Sequence, residues 1–327
     1  MNKRRILSGM RPTGRLHLGH LVGALNNWAR LQDEYECFFM VADWHALMSE
    51  YANPSIIKEN AFDNIIDWIA CGISPDKATI FIQSDVKEHL DLFMILSALT
   101  PLGWLERCPT YKEQIKELKN KDISTYAFLG YPVLQAADIL AYKAEYVPIG
   151  EDQLPHLELT REIARRFNSL YKEDILIDPQ PLLTAFPRLL GLDLRKMSKS
   201  YDNCIYLSDS RDILHKKVMS MITDPKRIKR TDPGHPEKCN VHSYYAVFKP
   251  ELVEEIKEKC KFAQIGCTEC KAKLSEILTE HLRPIQEKRN KLISDKKQIS
   301  DIIDKGKIKA EEVTSGTLKE VKRVMGI

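Results

Sequence analysis

Short apolar runs alternate with amphipathic stretches along the first half of the chain. "RRILSG" reads as a short buried strand, and "LGHLVGALNNWARLQ" carries apolar positions at helical spacing. "ECFFMVADW" is again strand-like, "IIKENAFDNIIDWIACG" is a helix closed by a Gly stop, and "ATIFIQS" returns to a strand. Helical patterns follow in "HLDLFMILSAL", "YPVLQAADILAYKA" and "QLPHLELTREIARRFNSLY". The alternation predicts βαβ units and a doubly wound parallel sheet, a Rossmann-like α/β domain. Such sheets bind ligands at the carboxyl ends of their strands, so useful residues are expected just after "RRIL", "CFFMVA" and "TIFIQ".

The Pro- and Gly-bearing stretch "IDPQPLLTAFPRLLGLD" closes this region. Beyond "KMSKS" the pattern is mostly helical, with a non-helical patch at "TDPGHPEKCNVHS". Lysine-rich amphipathic helices are expected at roughly 272–294 and 308–325. The expected organisation is an α/β domain over residues 1–194, a loop at 195–202 and a helical domain over 203–327. No internal repeat and no low-complexity segment is seen.

Charge separates the same two parts. Residues 211–327 hold 26 Lys+Arg against 18 Asp+Glu, whereas the whole chain of 327 residues carries a net charge of only +3. A basic second part behind a mildly acidic first part suits a polyanionic partner, although solvated lysine-rich helix faces would look alike. The basic start "MNKRRILSGMRPTG" has too short an apolar run for a signal peptide, and no apolar stretch reaches the ~18 residues of a membrane helix. A cytoplasmic enzyme without membrane contact is expected, its thiols reduced.

Two motifs carry chemistry. "SGMRPTGRLHLGHLVGAL" follows the first strand and opens the first helix, where unpaired N–H groups suit phosphate. Gly19 lacks a Cβ and lets a flat base approach the backbone, and His17 and His20 share one side of the first turn. In "RKMSKS", Lys196 and Lys199 are spaced to bracket a triphosphate and to stabilise charge on a leaving pyrophosphate. Either motif alone could be a basic or histidine-bearing surface; both together are specific.

"HLGH" with "KMSKS" is the signature pair of class I aminoacyl-tRNA synthetases. The chain resembles bacterial tryptophanyl-tRNA synthetases from end to end, through "SGMRPTGRLHLGH", "VADWHAL", "TIFIQS", "LERCPTYKE", "YPVLQAADILAYKAEYVPIGEDQLPHLELTREIARRFN" and "LRPIQEKR". The tyrosine enzyme is the nearest sister, and "VPIGEDQ" and "LQAADIL" favour the tryptophan member. The resemblance implies ATP with Mg2+, L-tryptophan and tRNA(Trp) as ligands. It also implies a homodimer, with residues 86–130 as the candidate interface, a helical domain that reads the anticodon, and no DNA partner. A nucleotidylyltransferase shares the histidine motif, but the intact "KMSKS" loop and basic helical domain speak against it. A non-catalytic tRNA-binding relative would not need to keep the motif histidines and lysines.

Site roles follow by resemblance. His17, Gly19 and His20 would hold adenine and phosphates, with Met10 and Arg11 in the preceding turn. Lys196, Lys199 and Lys112 would reach the triphosphate, with Met197 and Ser198 in the same loop. Gly150 and Asp152 would sit at the ATP ribose, and Gln153 with Tyr131 at the ammonium end of tryptophan. Asp138 would accept from the indole N–H, a donor-only group that a carboxylate suits. His45, Leu7 and Gln135 would line the same pocket. Gln135 stands where many relatives have Met, and Arg11 where many have Gln.

Cys239, Cys260, Cys267 and Cys270 form C-x20-C-x6-C-x2-C. Four thiolates from one segment suit a zinc site or an iron–sulfur cluster, four scattered thiols holding no metal being the plainer alternative, and the spacing does not separate zinc from the cluster. The resemblance favours [4Fe–4S] over zinc. Cys37 and Cys71 are expected in the core, while Cys108 and Cys204 carry no signal.

Overall fold

A computed structural model describes residues 3–108, 125–183 and 189–327. The chain divides into two compact units, one comprising Met1–Gly14, Trp28–Ala185 and Asp295–Ile327 and the other Arg15–Asn27 and Phe186–Ser294.

The first unit is built on a parallel sheet of β1 (Arg5–Met10), β2 (Glu36–Val41), β3 (Ala78–Ile82), β4 (Tyr146–Ile149) and β5 (Gln180–Leu183). The strand order is β3-β2-β1-β4-β5, as the alternating pattern predicts. β2 reads "ECFFMV" and is buried from its second residue onward, the continuous apolar run of a strand covered on both faces. β1 and β2 pair over six residues, from Arg5↔Glu36 to Met10↔Val41, whereas β1 and β4 pair only at Ile6↔Tyr146. The strand order reverses between β1 and β4, and there the ladder opens toward the carboxyl ends. That is the crevice such sheets use for ligands, and Met10–Arg11 and Gly150–Gln153 flank it in sequence.

Helices Asp43–Glu50, Glu88–Leu99, Tyr126–Ala141 and Leu154–Tyr171 connect the strands. One continuous core joins Phe38, Phe81, Leu140, Tyr142, Ile163 and Phe167.

The last helix, Lys296–Met325, departs from the sequence-based division, which places it with the helical domain. It packs on the sheet side, and Ala310, Leu318 and Val321 join the same core. Its Gly306 lies so close to the edge strand that a Cβ there would overlap the carbonyl oxygen of Ile80. The helix thus covers an edge that would otherwise invite foreign strands. Periodicity showed an amphipathic helix but not the surface that takes its apolar face.

The second unit is mainly helical, with Arg211–Ser220, Asn240–Phe248, Val253–Lys261 and Cys267–Ser294 around buried Val218, Tyr244, Tyr245, Leu274 and Leu278. It also contains Arg15–Asn27, whose early residues pair with the segment after "KMSKS". Leu18 donates its amide to Ile205 O (2.9 Å), and Leu207 donates to Leu16 O (3.0 Å). The expected first helix begins as Leu18–His20, passes through a π-helical stretch, Leu21–Leu25, and resumes as Asn26–Leu31.

Candidate active site

In the first unit, Asp138 lies on the helix Tyr126–Ala141, 2% exposed and surrounded by donors. His45 Nε2 lies 2.8 Å from its Oδ2 and His89 Nδ1 lies 2.7 Å from its Oδ1. Gln83 Nε2 donates to both oxygens, at 2.8 and 3.0 Å. Burial alone would raise the carboxyl pKa, but the bonds to His45 and His89 outweigh it and hold the group below its ordinary value. Asp138 is therefore ionised at neutral pH.

His45 follows the end of β2, Gln83 follows the end of β3, and Asp138 comes from the helix between β3 and β4. Gln83 is further fixed because its Oε1 accepts from the Trp44 amide at 3.1 Å. Sequence reasoning missed Gln83 and His89, although Gln83 stands directly after "TIFI", where the strand-end rule points.

Tyr131 sits two turns before Asp138 on the same helix, and its hydroxyl lies 3.0 Å from His156 Nε2. Burial lowers the His156 pKa to about 4, with the charge of His45 adding to it, so this imidazole is neutral. Leu7 is buried in the core with Phe38 and Phe81, and Gln135 is half-buried one turn before Asp138. After β4, Gly150 opens the turn Glu151–Gln153; a Cβ on Gly150 would meet Asp152 Oδ1 at 2.7 Å. Gln153 Nε2 donates to Asp152 Oδ2 at 3.2 Å. Arg11 is exposed and Met10 half-buried at the end of β1. Lys112 lies outside the described residues.

In the second unit the two signature motifs touch. The Gly19 amide donates to Met197 Sδ at 3.4 Å, so the start of the histidine helix faces the "KMSKS" loop. The His17 and His20 rings lie against each other, tilted by 40° with centroids 3.8 Å apart. The His17 amide donates to His20 Nδ1 at 3.2 Å, which leaves the proton of a neutral His20 on Nε2. His17 Nδ1 is buried and has no hydrogen-bond partner among the described residues. Burial first, then the charge of Lys199, lowers the His17 pKa to about 3. Burial, His17 and Lys199 together hold His20 well below its ordinary value. Both rings are neutral donors, and positive charge comes from the lysines.

The role of Gly19 is sharper than the sequence suggests. A Cβ there would lie 2.9 Å from His17 Nδ1, so the missing side chain makes room for the His17 ring itself. Asn203, which sequence reasoning also missed, braces the loop. Its Oδ1 accepts from the Ser198 amide (2.8 Å), and its Nδ2 donates to Lys196 O (3.1 Å) and Asp193 Oδ1 (2.7 Å).

The four cysteines also fall in the second unit. Arg227 Nη1 lies 3.9 Å from both Cys260 Sγ and Cys267 Sγ. Burial pushes the Cys270 thiol up to about 12, with Cys239, Cys260 and Cys267 adding to the rise. The sulfurs therefore share one neighbourhood. Even so, no group of three or more His, Cys, Asp or Glu among the described residues is placed to hold a metal ion. A single zinc needs its thiolates at ~2.3 Å from one point, which this arrangement does not offer.

Comparison with known proteins bears on both units. The family model of class I tRNA synthetases (W and Y) matches residues 1–283. The chain is 51% identical over 328 residues to the tryptophan–tRNA ligase of Thermotoga maritima, covering 99% of each. It is 44% identical over 393 residues to that of Ralstonia nicotianae, covering 99% of this chain and 98% of that protein. Among solved structures it matches the tryptophanyl-tRNA synthetase of Campylobacter jejuni complexed with ADP and tryptophan. The TM-score is 0.89 and the identity 31%, covering 99% of this chain and all of that one (100%). With its parallel sheet, histidine turn and "KMSKS" loop, the chain belongs to the class I tRNA synthetases that serve tryptophan and tyrosine.

Proposed function

We propose that the chain joins L-tryptophan to tRNA(Trp) in two steps, using ATP with Mg2+. The observation that carries this is its end-to-end likeness to tryptophan–tRNA ligases. In the first step a tryptophan carboxylate oxygen attacks the α-phosphorus of ATP, and the bond to the pyrophosphate oxygen breaks. In the second, a hydroxyl of the terminal ribose attacks the activated carbonyl, and AMP leaves.

No side chain forms a covalent intermediate, so positioning and electrostatics account for the rate. His20 offers the Nε2 proton and His17 its unsatisfied ring nitrogen to the nucleotide, without adding charge. Lys196 and Lys199, with Lys112, neutralise the triphosphate and the departing pyrophosphate. Mg2+ carried by ATP supplies further neutralisation. In the first unit Met10 and Arg11 would contact the nucleotide and Gly150 and Asp152 its ribose; in the second, Met197 and Ser198 would contact the nucleotide. Asp138 accepts from the indole N–H, Tyr131 and Gln153 take the ammonium end, and His45, Leu7 and Gln135 line the remainder.

The helical part of 203–327 is the tRNA-binding region, supported by its basic balance. A second copy of the chain would cover the segment 86–130, where Met94 (68%), Leu102 (61%) and Tyr126 (76%) are exposed. Residues 109–124 of that segment lie outside the described residues. No helix among the described residues is long and apolar enough to cross a membrane.

Cys239, Cys260, Cys267 and Cys270 are the ligands for a [4Fe–4S] cluster, zinc being the alternative. The C-x20-C-x6-C-x2-C spacing, with Cys260 and Cys267 beside the same Arg227 guanidinium, supports this reading. The cluster would serve structure or RNA docking rather than either chemical step.

ATP–pyrophosphate exchange tests the activity. Exchange dependent on tryptophan is expected; exchange with tyrosine alone would move the chain to the sister specificity.

A further inference from the structure

Asp138 is fully committed before any substrate arrives. Gln83 and His89 bond its Oδ1, and His45 and Gln83 bond its Oδ2. These contacts fill the roughly four lone-pair directions of a carboxylate. Its partners differ in access: the His89 side chain and Gln83 are 0% exposed, whereas the His45 side chain is 12% exposed. His45 is the one partner that can turn away without opening the core.

Behind His89 stands Tyr142, 0% exposed, its hydroxyl 2.9 Å from His89 Nε2. Burial, with the charges of Asp138 and Glu88, pushes the phenol pKa well above its ordinary value, so the hydroxyl keeps its proton. With a neutral His89 imidazole, whose Nδ1–H faces the carboxylate, the hydroxyl donates to Nε2 and the ring proton is directed at Asp138. The chain Tyr142–His89–Asp138 has one direction of donation throughout.

We propose that His89 and Tyr142 are positioning residues for amino-acid selection, fixing Asp138 so that the substrate's indole N–H takes the Oδ2 direction that His45 holds in the free protein. This rests on the reading of Asp138 as the indole acceptor. Without the inner pair, the carboxylate could rotate toward Gln83 alone, and its free oxygen would no longer face the substrate at a fixed angle. A site built around a defined hydrogen bond rejects analogues lacking the donor; a loosely held acceptor does not.

The test compares tryptophan with benzothienylalanine, in which sulfur replaces the indole N–H, by kcat/KM in ATP–pyrophosphate exchange. Wild-type protein is expected to prefer tryptophan strongly. In His89→Phe that preference should fall by roughly 10- to 100-fold, the worth of one hydrogen bond to a charged group. Tyr142→Phe should lose part of it, and His89→Gln, which keeps an N–H donor, should restore part. If folded variants lose activity toward both substrates in parallel, with the preference unchanged, His89 and Tyr142 only hold the core together and the proposal fails. Where His89→Phe does not fold, the nearly isosteric Tyr142→Phe decides the matter by the same ratio. A wild-type protein that uses tryptophan but does not distinguish the analogue would remove Asp138 as the reader, and the proposal with it. Wild-type exchange with tyrosine alone would instead overturn the underlying function.

Discussion

The amide of Gly19 and the sulfur of Met197 meet at 3.4 Å across 178 positions of sequence. Sulfur is a weak acceptor, so this helix-start donor is held loosely, while the contact carries Lys196 and Lys199 beside the histidine turn. On the proposed reading, neutral histidines and charged lysines would divide the work on the triphosphate.

That division predicts a clean split on removing one lysine. Lys199→Ala should lower kcat for tryptophan-dependent exchange by about 100-fold, the usual scale for one preorganised electrostatic contact. Tryptophan binding at equilibrium should change little. Parallel loss of tryptophan binding would show that the lysine supports the fold and not the chemistry.

The depressed histidines make stability depend on acid. His17 has a folded pKa of about 3 and His156 of about 4, both below the ordinary 6.5. Between those values and 6.5 the unfolded chain binds protons that the folded chain refuses, so stability rises with pH across that window and is flat above it. At pH 5, His17 alone should cost about 2 kcal/mol relative to pH 7. Urea unfolding at the two pH values checks this; equal midpoints would mean that the rings are not buried as neutral species.

At Gly306 the sign of a substitution is informative. Alanine is the better helix former, and on propensity alone Gly306→Ala should stabilise by up to about 1 kcal/mol. The new Cβ would overlap the Ile80 carbonyl oxygen, so a loss of roughly 1–3 kcal/mol is expected instead. Thermal unfolding distinguishes them, and a higher Tm would place the helix away from β3.

For the four cysteines, anaerobically purified protein should show broad visible absorbance with iron and sulfide in similar amounts. Cys267→Ser should weaken tRNA charging more than adenylate formation. Stoichiometric zinc in colourless protein would sink the cluster.

Much of this was legible in the sequence because parallel sheets impose a rule. Strand ends carry the candidate site, and "RRILSGMR", "CFFMVADWH" and "TIFIQ" announce themselves by apolar runs. Gln83 obeyed that rule yet went unnamed, since a buried glutamine has no periodic signature. His89 was hidden because "KEHLDLF" reads as an ordinary helix start, and only the fold brings it to Asp138. Asn203 escaped for a similar reason, because its three bonds serve backbone and a distant carboxylate. The last helix was misplaced since amphipathicity names a face and not its partner, although an interior glycine at 306 hinted at close approach.

The most direct test is Asp138→Asn in tryptophan-dependent ATP–pyrophosphate exchange. The substitution keeps the shape but removes the charge that His45, His89 and Gln83 satisfy, and it offers an N–H where the indole needs an acceptor. The expected result is a fall in kcat/KM for tryptophan of at least about 100-fold, the scale of a broken buried hydrogen bond to a charged group, with KM for ATP little changed. Unaltered kcat/KM for tryptophan would contradict the account.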